Sequence, residues 1–214
     1  LIKLLFEPFI NQIDVWQQIL IIISILSIVV GSISALRQEN LKRLFAFSTI
    51  GNVGYILMGL TIVTEDGIAA SILYLVLYTL GTLGVFSFIM ILRRDDKQLV
   101  NLSDVAGLSK TNPTVAISMI ILLLSMAGIP PLAGFFAKLN LFIVIIEEGY
   151  FYLAIIGVVF SVVSAFYYLK IIKVMYLDDV TEPININLDK KLIFSITAMA
   201  IIMLFFIFFA DNFI

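Results

Sequence analysis

The chain has 214 residues, of which 62% are hydrophobic and only 13% are charged, and its mean hydropathy of +1.14 predicts an integral membrane protein. The sequence contains no cysteine and no histidine, which excludes disulfides, thiolate-bound metals and iron–sulfur clusters and removes the usual general base near neutral pH. We therefore expect no redox centre, cofactor or metal on this chain, and a net charge of −2 argues against nucleic-acid binding.

Six apolar stretches are long enough to cross a bilayer as helices. A helix rises about 1.5 Å per residue, so ~20 apolar residues span the ~30 Å hydrocarbon layer. The sequence lacks the two-residue alternation that a membrane β-barrel needs, and it therefore predicts an all-α fold. The stretches cover residues 18–36, 46–63, 68–92, 114–146, 151–175 and 192–210.

The spans divide the chain into four predicted parts. Residues 1–13 are too short to span alone, and residues 1–17 are expected to form an entry segment on the outer side. Residues 18–175 are predicted to form a five-helix unit, followed by an inner-side loop at 176–191 and a terminal transmembrane helix at 192–214. The sequence starts without a Met or a signal peptide, and we interpret it as part of a longer protein.

The distribution of basic residues predicts the orientation, because Lys and Arg stay on the side from which helices are inserted. The five loops between successive predicted spans are numbered in chain order. Loops two and four carry only acidic charges, whereas the odd loops hold eleven of the thirteen basic residues. The odd loops are therefore expected inside and both chain ends outside, across a bacterial cytoplasmic membrane or a mitochondrial inner membrane. The eleven residues are Arg37, Lys42, Arg43, Arg93, Arg94, Lys97, Lys110, Lys170, Lys173, Lys190 and Lys191.

The fourth stretch is too long to be one straight helix across the membrane. Its 33 residues would measure roughly 50 Å. Gly128, Pro130, Pro131 and Gly134 lie near its middle, and the prolines remove two amide donors from the helical hydrogen-bond pattern. We therefore predict a discontinuous helix, broken at 128–134. Carbonyls freed at membrane depth need protein or water as partners, so the break is expected to line a hydrated cavity.

Lys138 is predicted to lie inside this span. The nearest end of the span is Glu147, roughly 13 Å away along a helix, and a charge at such depth costs ~2.5–3.5 kcal/mol. None of the acidic residues lies well inside a predicted span, so either a carboxylate from elsewhere pairs with Lys138 or the lysine is partly neutral. Both options suit a proton carrier. The alternative is a lysine near a helix end that donates to the carbonyls of Met126 or Ala127.

Polar residues follow one face of three other spans at helical spacing. Such stripes can order water for proton transfer, with Tyr78 the leading candidate because Thr79 adjoins it. The alternative is that they only pack the helices together, at about 0.6 kcal/mol for each hydrogen bond. The stripes are Ser48, Asn52 and Tyr55; Ser71, Tyr74 and Tyr78; and Gly157, Ser161, Ser164 and Tyr168.

Two motifs carry a family resemblance. Residues 41–55 read LKRLFAFSTIGNVGY and resemble the signature LKRLxAxSSIxxxGY of the antiporter-like membrane subunits of respiratory complex I. Residues 125–138 read SMAGIPPLAGFFAK and resemble the SLAGIPPLAGFxxK break of the same family. Residues 161–170, SVVSAFYYLK, together with 174–176, resemble the N-type branch in particular.

The resemblance implies that the chain is the C-terminal portion of such a subunit and that its first five helices form the second of two inverted repeats. Lys138 matches the lysine of the family's broken helix, which is the last protonatable station before the outer side. Tyr78 aligns with a position where related subunits carry a histidine. The family's other stations, a glutamate and two lysines, would precede Leu1.

The resemblance further implies a proton-translocating subunit of NADH:quinone oxidoreductase, whose FMN, iron–sulfur clusters and quinone belong to other subunits. Lys138 is expected to carry the proton outward, and Tyr78, Thr79, Ser48 and Asn52 to order water. The expected partners are other membrane subunits, including antiporter-like ones, the upstream half of the same subunit, and lipid. The alternatives are a subunit of a cation/proton antiporter or membrane-bound hydrogenase, or a scaffold that does not pump.

Overall fold

The computed structural model describes residues 2–94, 97–180 and 190–212, and this part of the chain is almost entirely helical. The all-α prediction is confirmed, with one small exception: strands β1 (Arg93–Arg94) and β2 (Lys97–Gln98) pair antiparallel. The helices are α1 (Ile2–Phe6), α2 (Ile13–Leu36), α3 (Leu41–Leu60), α4 (Glu65–Ile91), α5 (Leu108–Thr111), α6 (Pro113–Ala127), α7 (Ala133–Glu147), α8 (Phe151–Leu177) and α9 (Lys190–Phe205).

Within the described ranges, five helical segments are long and apolar enough to cross a membrane: α2, α3, α4, α8, and α9 together with the turn that follows it. The stretch predicted at 114–146 consists of α6 and α7, each of 15 residues. Residues 13–17 were predicted to precede the first span, but they form the start of α2. Of the predicted loop at 176–191, residues 181–189 lie outside the described residues.

Helix α3 begins five residues earlier than its apolar stretch because of a capping residue. The Asn40 side chain accepts a hydrogen bond from the Arg43 amide at 3.1 Å, which satisfies one of the free donors of the first turn. The basic residues Lys42 and Arg43 therefore belong to the helix itself rather than to a loop. A criterion based only on apolar residues misses such a charged first turn.

The loops at the two ends of the bundle hold the helices in place. At one end, the Leu41 amide donates to the Val100 carbonyl and the Leu102 amide to the Glu39 carbonyl, both at 2.7 Å. At the other end, the Gln17 side-chain amide donates to the Thr61 carbonyl at 2.7 Å and to the Tyr150 hydroxyl at 2.9 Å. These contacts connect helices that are distant in sequence.

Helices α2 and α3 pack closely because glycines face each other across their interface. A Cβ atom added to Gly31 would lie 2.5 Å from the Gly51 amide nitrogen and 2.8 Å from the Phe47 carbonyl oxygen. Both neighbours are backbone atoms, so the helices would have to separate to accommodate a methyl group. Van der Waals contact of this kind is a main source of helix association in membranes.

We expect the substitution Gly31→Ala to destabilise the protein by roughly 2–3 kcal/mol, because it overpacks this interface. Gly51→Ala is the matched control in the same interface, since its Cβ would meet Ser32 Oγ at an ordinary 3.6 Å. The measurement is the unfolding temperature of the purified, detergent-solubilised protein. Equal unfolding temperatures for the two variants would contradict the prediction.

Candidate functional site

The chain is not helical between α6 and α7. Helix α6 ends at Ala127, and Gly128 follows in the left-handed conformation with φ of 83°, which glycine adopts without strain. Helix α7 then begins at Ala133, after Pro130 and Pro131. The Gly134 amide donates to Ser125 Oγ at 3.0 Å, so the start of α7 is held against the last turn of α6.

Lys138 lies in the second turn of α7 and is only 5% exposed. Its Nζ atom donates to the carbonyl oxygens of Met126 at 3.3 Å and Ala127 at 3.1 Å, and to Ser161 Oγ at 2.9 Å. An ammonium group has three N–H donors, and these acceptors match them in number. The charged group is therefore fully hydrogen-bonded inside the bundle.

The two carbonyls are available to Lys138 because of the double proline. In an uninterrupted helix they would accept hydrogen bonds from residues 130 and 131, and both of these residues lack an N–H group. The C-terminal end of α6 also carries a partial negative charge, which favours a cation. The break in the helix thus creates the site that holds the ammonium.

The sequence left two interpretations of Lys138 open, and the structure contains a feature of each. The hydrogen bonds to Met126 and Ala127 belong to the interpretation of a lysine near a helix end. The burial of Lys138 belongs to the other interpretation, since the side chain does not reach solvent at the end of α7. Lys110 forms an ion pair with Asp179 and Lys173 forms one with Asp178, whereas no acidic partner of Lys138 lies among the described residues.

The aromatic ring of Tyr55 covers another side of the ammonium. Nζ of Lys138 lies 5.3 Å from the ring centroid, within the range of a cation–π interaction. The ring is held in place because its hydroxyl donates to the Gly157 carbonyl at 2.8 Å and its face stacks on Tyr74, with centroids 5.9 Å apart. Helices α3, α4 and α8 thus jointly position this contact.

A buried network of polar side chains lies along α3. Tyr74 OH donates to Asn52 Oδ1 at 2.9 Å, and Asn52 Nδ2 donates to the Ser48 carbonyl at 2.8 Å. The Ser48 and Tyr168 hydroxyls share a hydrogen bond of 2.5 Å. The polar stripes of α3, α4 and α8 therefore meet in the interior, as required if they are to act together.

A cavity lies beside the helix break, between α3, α4, α6, α7 and α9, with about 20 Å³ open to the centre of a water-sized sphere. On this measure a buried water needs ~10–15 Å³, so the cavity has room for a water molecule. Most of the wall is apolar. The lining residues are Asn52, Tyr74, Leu77, Tyr78, Gly81, Ser125, Met126, Gly134, Ala137, Lys138 and Met203.

The structure brings most of the predicted site residues together. Lys138, Asn52, Tyr78 and Gly134 line the cavity, and Ser48 hydrogen-bonds to Asn52 from one turn away. The three other predicted residues form the break itself: Gly128, Pro130 and Pro131.

Thr79 was predicted to act beside Tyr78, and this placement is wrong. Thr79 is exposed, and its hydroxyl donates to the Leu75 carbonyl of its own helix at 2.7 Å. Neighbouring residues on a helix point about 100° apart, so Thr79 faces outward when Tyr78 faces the cavity. Tyr78 instead donates to Thr49 Oγ1 on α3 at 2.8 Å.

Sequence reasoning placed Ser161 and Tyr55 in polar stripes but did not identify them as contacts of the lysine. The signal that could have selected them is the helical spacing of Ser161 with Ser164 and of Tyr55 with Ser48. Among the described residues, no cluster of three or more His, Cys, Asp or Glu side chains is arranged to hold a metal ion.

Comparison with known proteins agrees with this architecture. Residues 1–164 match the family described as NADH:quinone oxidoreductase/Mrp antiporter, TM. The chain belongs to this family. The resemblance seen in the two sequence motifs is thereby confirmed, and the protein is a membrane protein with an antiporter-like domain.

Several relatives share high sequence identity with the chain. It is 46% identical over 211 residues to NADH-quinone oxidoreductase subunit N of Pelagibacter ubique, an alignment covering 97% of this chain and 44% of that protein. It is 44% identical over 207 residues to the protein of the same name from Rhodospirillum rubrum, covering 96% and 42%. The chain thus spans less than half the length of these relatives.

Solved structures show the same fold. A chain of respiratory complex I from Thermus thermophilus with bound aureothin has a TM-score of 0.77 and 27% identity, covering 91% of this chain and 44% of that one. A chain of the Mrp complex from Dietzia sp. DQ12-45-1b has a TM-score of 0.84 and 20% identity, covering 99% and 47%. The second likeness concerns the fold alone.

Proposed function

We propose that this chain is part of a proton-translocating membrane-arm subunit of NADH:quinone oxidoreductase and that Lys138 is its proton carrier. The observation that carries this proposal is a buried ammonium, held by the open carbonyls of a helix break beside a cavity. Intramembrane ionisable residues are costly and are typical of proton relays. The relatives named NADH-quinone oxidoreductase subunit N support the assignment to this complex.

In the proposed mechanism, Lys138 gains a proton through water in the cavity and releases it toward the outer side. Asn52, Ser48 and Tyr78 order this water through their hydroxyl and amide groups. A unit charge that appears ~10 Å away changes the free energy of the ammonium by about 1.7 kcal/mol at an effective dielectric constant of ~20. This corresponds to more than a tenfold change in proton affinity, enough to switch between uptake and release.

The proposed arrangement in the membrane follows the distribution of basic residues. Loops one, three and five face the inside, and both chain ends face the outside of a bacterial cytoplasmic or mitochondrial inner membrane. Residues 18–175 form the second inverted repeat of the subunit, and 192–214 form a terminal helix. The upstream half of the subunit and neighbouring membrane subunits are the proposed partners. Flavin, iron–sulfur and quinone chemistry takes place on other subunits.

The substitution Lys138→Ala in the intact complex tests the proposal. We expect fewer protons pumped per electron pair and a slower coupled quinone reductase reaction, because the carrier is lost. Lys110→Ala is the control, since the Lys110 side chain is exposed and pairs with Asp179 at 3.1 Å. Unchanged proton-to-electron stoichiometry at full turnover would refute the role of Lys138.

The second candidate function is a subunit of a multi-subunit cation/proton antiporter or of a membrane-bound hydrogenase. The family description, which names the Mrp antiporter beside NADH:quinone oxidoreductase, keeps it as a candidate. Co-purification with flavin and iron–sulfur subunits supports the oxidoreductase, whereas sodium-dependent transport without NADH oxidation supports the antiporter. If the chain is only a scaffold, Lys138→Ala alters assembly on native gels but leaves the activity per assembled complex unchanged.

A further inference from the structure

Ser161 contacts the lysine but does not line the cavity. Its Oγ atom accepts a hydrogen bond from Lys138 Nζ at 2.9 Å, yet neither Ser161 nor Tyr55 lines the cavity. The ammonium therefore contacts both the cavity and helix α8. The proton pathway proposed above uses groups on the cavity side and gives the polar stripe of α8 no role.

The position of Ser161 is fixed by its surroundings on α8. The Tyr55 hydroxyl donates to the Gly157 carbonyl, one turn before Ser161 on α8, at 2.8 Å. A Cβ atom on Gly157 would lie 3.2 Å from Phe142 Cζ of α7, so α8 approaches α7 closely at this level. The hydroxyl of Ser161 is thus presented to the lysine by tight packing.

We propose that Ser161 is a positioning residue that holds the Lys138 ammonium at the helix break and thereby sets the pH range in which this lysine releases its proton. This inference rests on the proposed function. Ser161 supplies the one side-chain acceptor of the three hydrogen bonds, and the other two acceptors are backbone carbonyls. It is therefore the hydrogen-bond partner of Lys138 that substitution can remove without changing the helix break.

The sign of the effect follows from which form of the lysine is stabilised. The ammonium donates three hydrogen bonds, whereas the neutral amine has only two N–H groups, so an acceptor such as Ser161 favours the protonated form. A hydrogen bond to a charged group is strong enough to change proton affinity by at least about tenfold. Without this acceptor, the lysine loses its proton at a lower pH.

The other titratable groups near the ammonium are tyrosines. Tyr55 of α3 faces it directly, Tyr74 and Tyr78 of α4 share its cavity, and Tyr168 of α8 joins the polar network. Helix α6 faces the ammonium with carbonyl groups, and among the described residues no acid pairs with it. Desolvation disfavours the charged form of every buried group, so it opposes ionisation of these tyrosines but favours proton release by the lysine, which therefore governs the response.

The test compares Ser161→Ala with Ser161→Thr and Ser164→Ala in the intact, membrane-reconstituted complex. The measurement is the number of protons pumped per electron pair as a function of pH. We expect pumping by Ser161→Ala to decline at a pH at least about one unit lower than in the wild type. The plateau of pumping at acidic pH is expected to stay unchanged. Ser161→Thr keeps the hydroxyl and is expected to restore the wild-type profile.

Ser164→Ala removes a hydroxyl on the same helix face as Ser161. This hydroxyl donates to the Ser161 carbonyl and not to the lysine, so the pH profile of the variant is expected to match the wild type. An unshifted profile for Ser161→Ala, or an equal shift for Ser164→Ala, would overturn the inference. If Lys138→Ala lowers pumping in the same assay while Ser161→Ala does not shift the profile, only the role of Ser161 fails. If Lys138→Ala leaves pumping unchanged, the proposed function and this inference both fail.

Discussion

Replacing Lys138 with arginine is expected to stop proton transfer through this chain even though the positive charge remains. A guanidinium group keeps its proton throughout the physiological pH range, so it satisfies the carbonyls of Met126 and Ala127 but cannot release a proton. We expect the variant to assemble in near-normal amounts and proton transfer through this chain to fall more than tenfold. The measurement is proton pumping per electron pair, normalised to assembled complex on native gels.

Lys138→Met removes both the positive charge and the proton that the lysine can release. Methionine is of similar length but leaves the two carbonyls and Ser161 without their donor, so we expect both assembly and transfer to decrease. Arginine and methionine together distinguish a carrier from a purely structural cation. If the arginine variant pumps as well as the wild type, a fixed charge is sufficient and the carrier mechanism is wrong.

The largest expected effect on folding comes from Gly134→Ala. A Cβ atom at Gly134 would collide with the Ser125 carbonyl oxygen, a backbone atom in the last turns of α6. The start of α7 would have to move away, which also breaks the hydrogen bond from the Gly134 amide to Ser125 Oγ. We expect a loss of at least ~3 kcal/mol, the upper end of the usual cost of overpacking, and little assembled protein.

Gly81→Ala is the matched control for this prediction, because Gly81 lines the same cavity from α4. Its Cβ would lie 3.6 Å from Met126 Cγ, an ordinary contact, and alanine favours helix over glycine. The measurements are the amount of assembled complex and its unfolding temperature. Similar losses for both variants would show that the close approach of α6 and α7 at Gly134 is not the cause.

The predicted site and the observed site differ in a systematic way. Lys138 and the break were recognisable because a charge in an apolar stretch and adjacent prolines have strong local effects. Thr79 was misplaced because adjacency in sequence does not mean adjacency on a helix face. Helical spacing found the stripes containing Tyr55 and Ser161, but it could not show that both contact the same ammonium.

The sequence by itself determined the membrane character and the all-α fold, and it predicted the approximate spans and an interruption at the double proline. These properties follow from local hydrophobicity and from the missing amide donors, which act within a few residues of their position. The tertiary structure decided which groups surround the lysine: carbonyls of α6, a hydroxyl of α8 and an aromatic ring of α3. Such contacts depend on how each helix is rotated about its axis and on how closely it packs against its neighbours. Close packing in this protein relies on close backbone contacts at Gly31 and Gly134, which composition and periodicity do not encode.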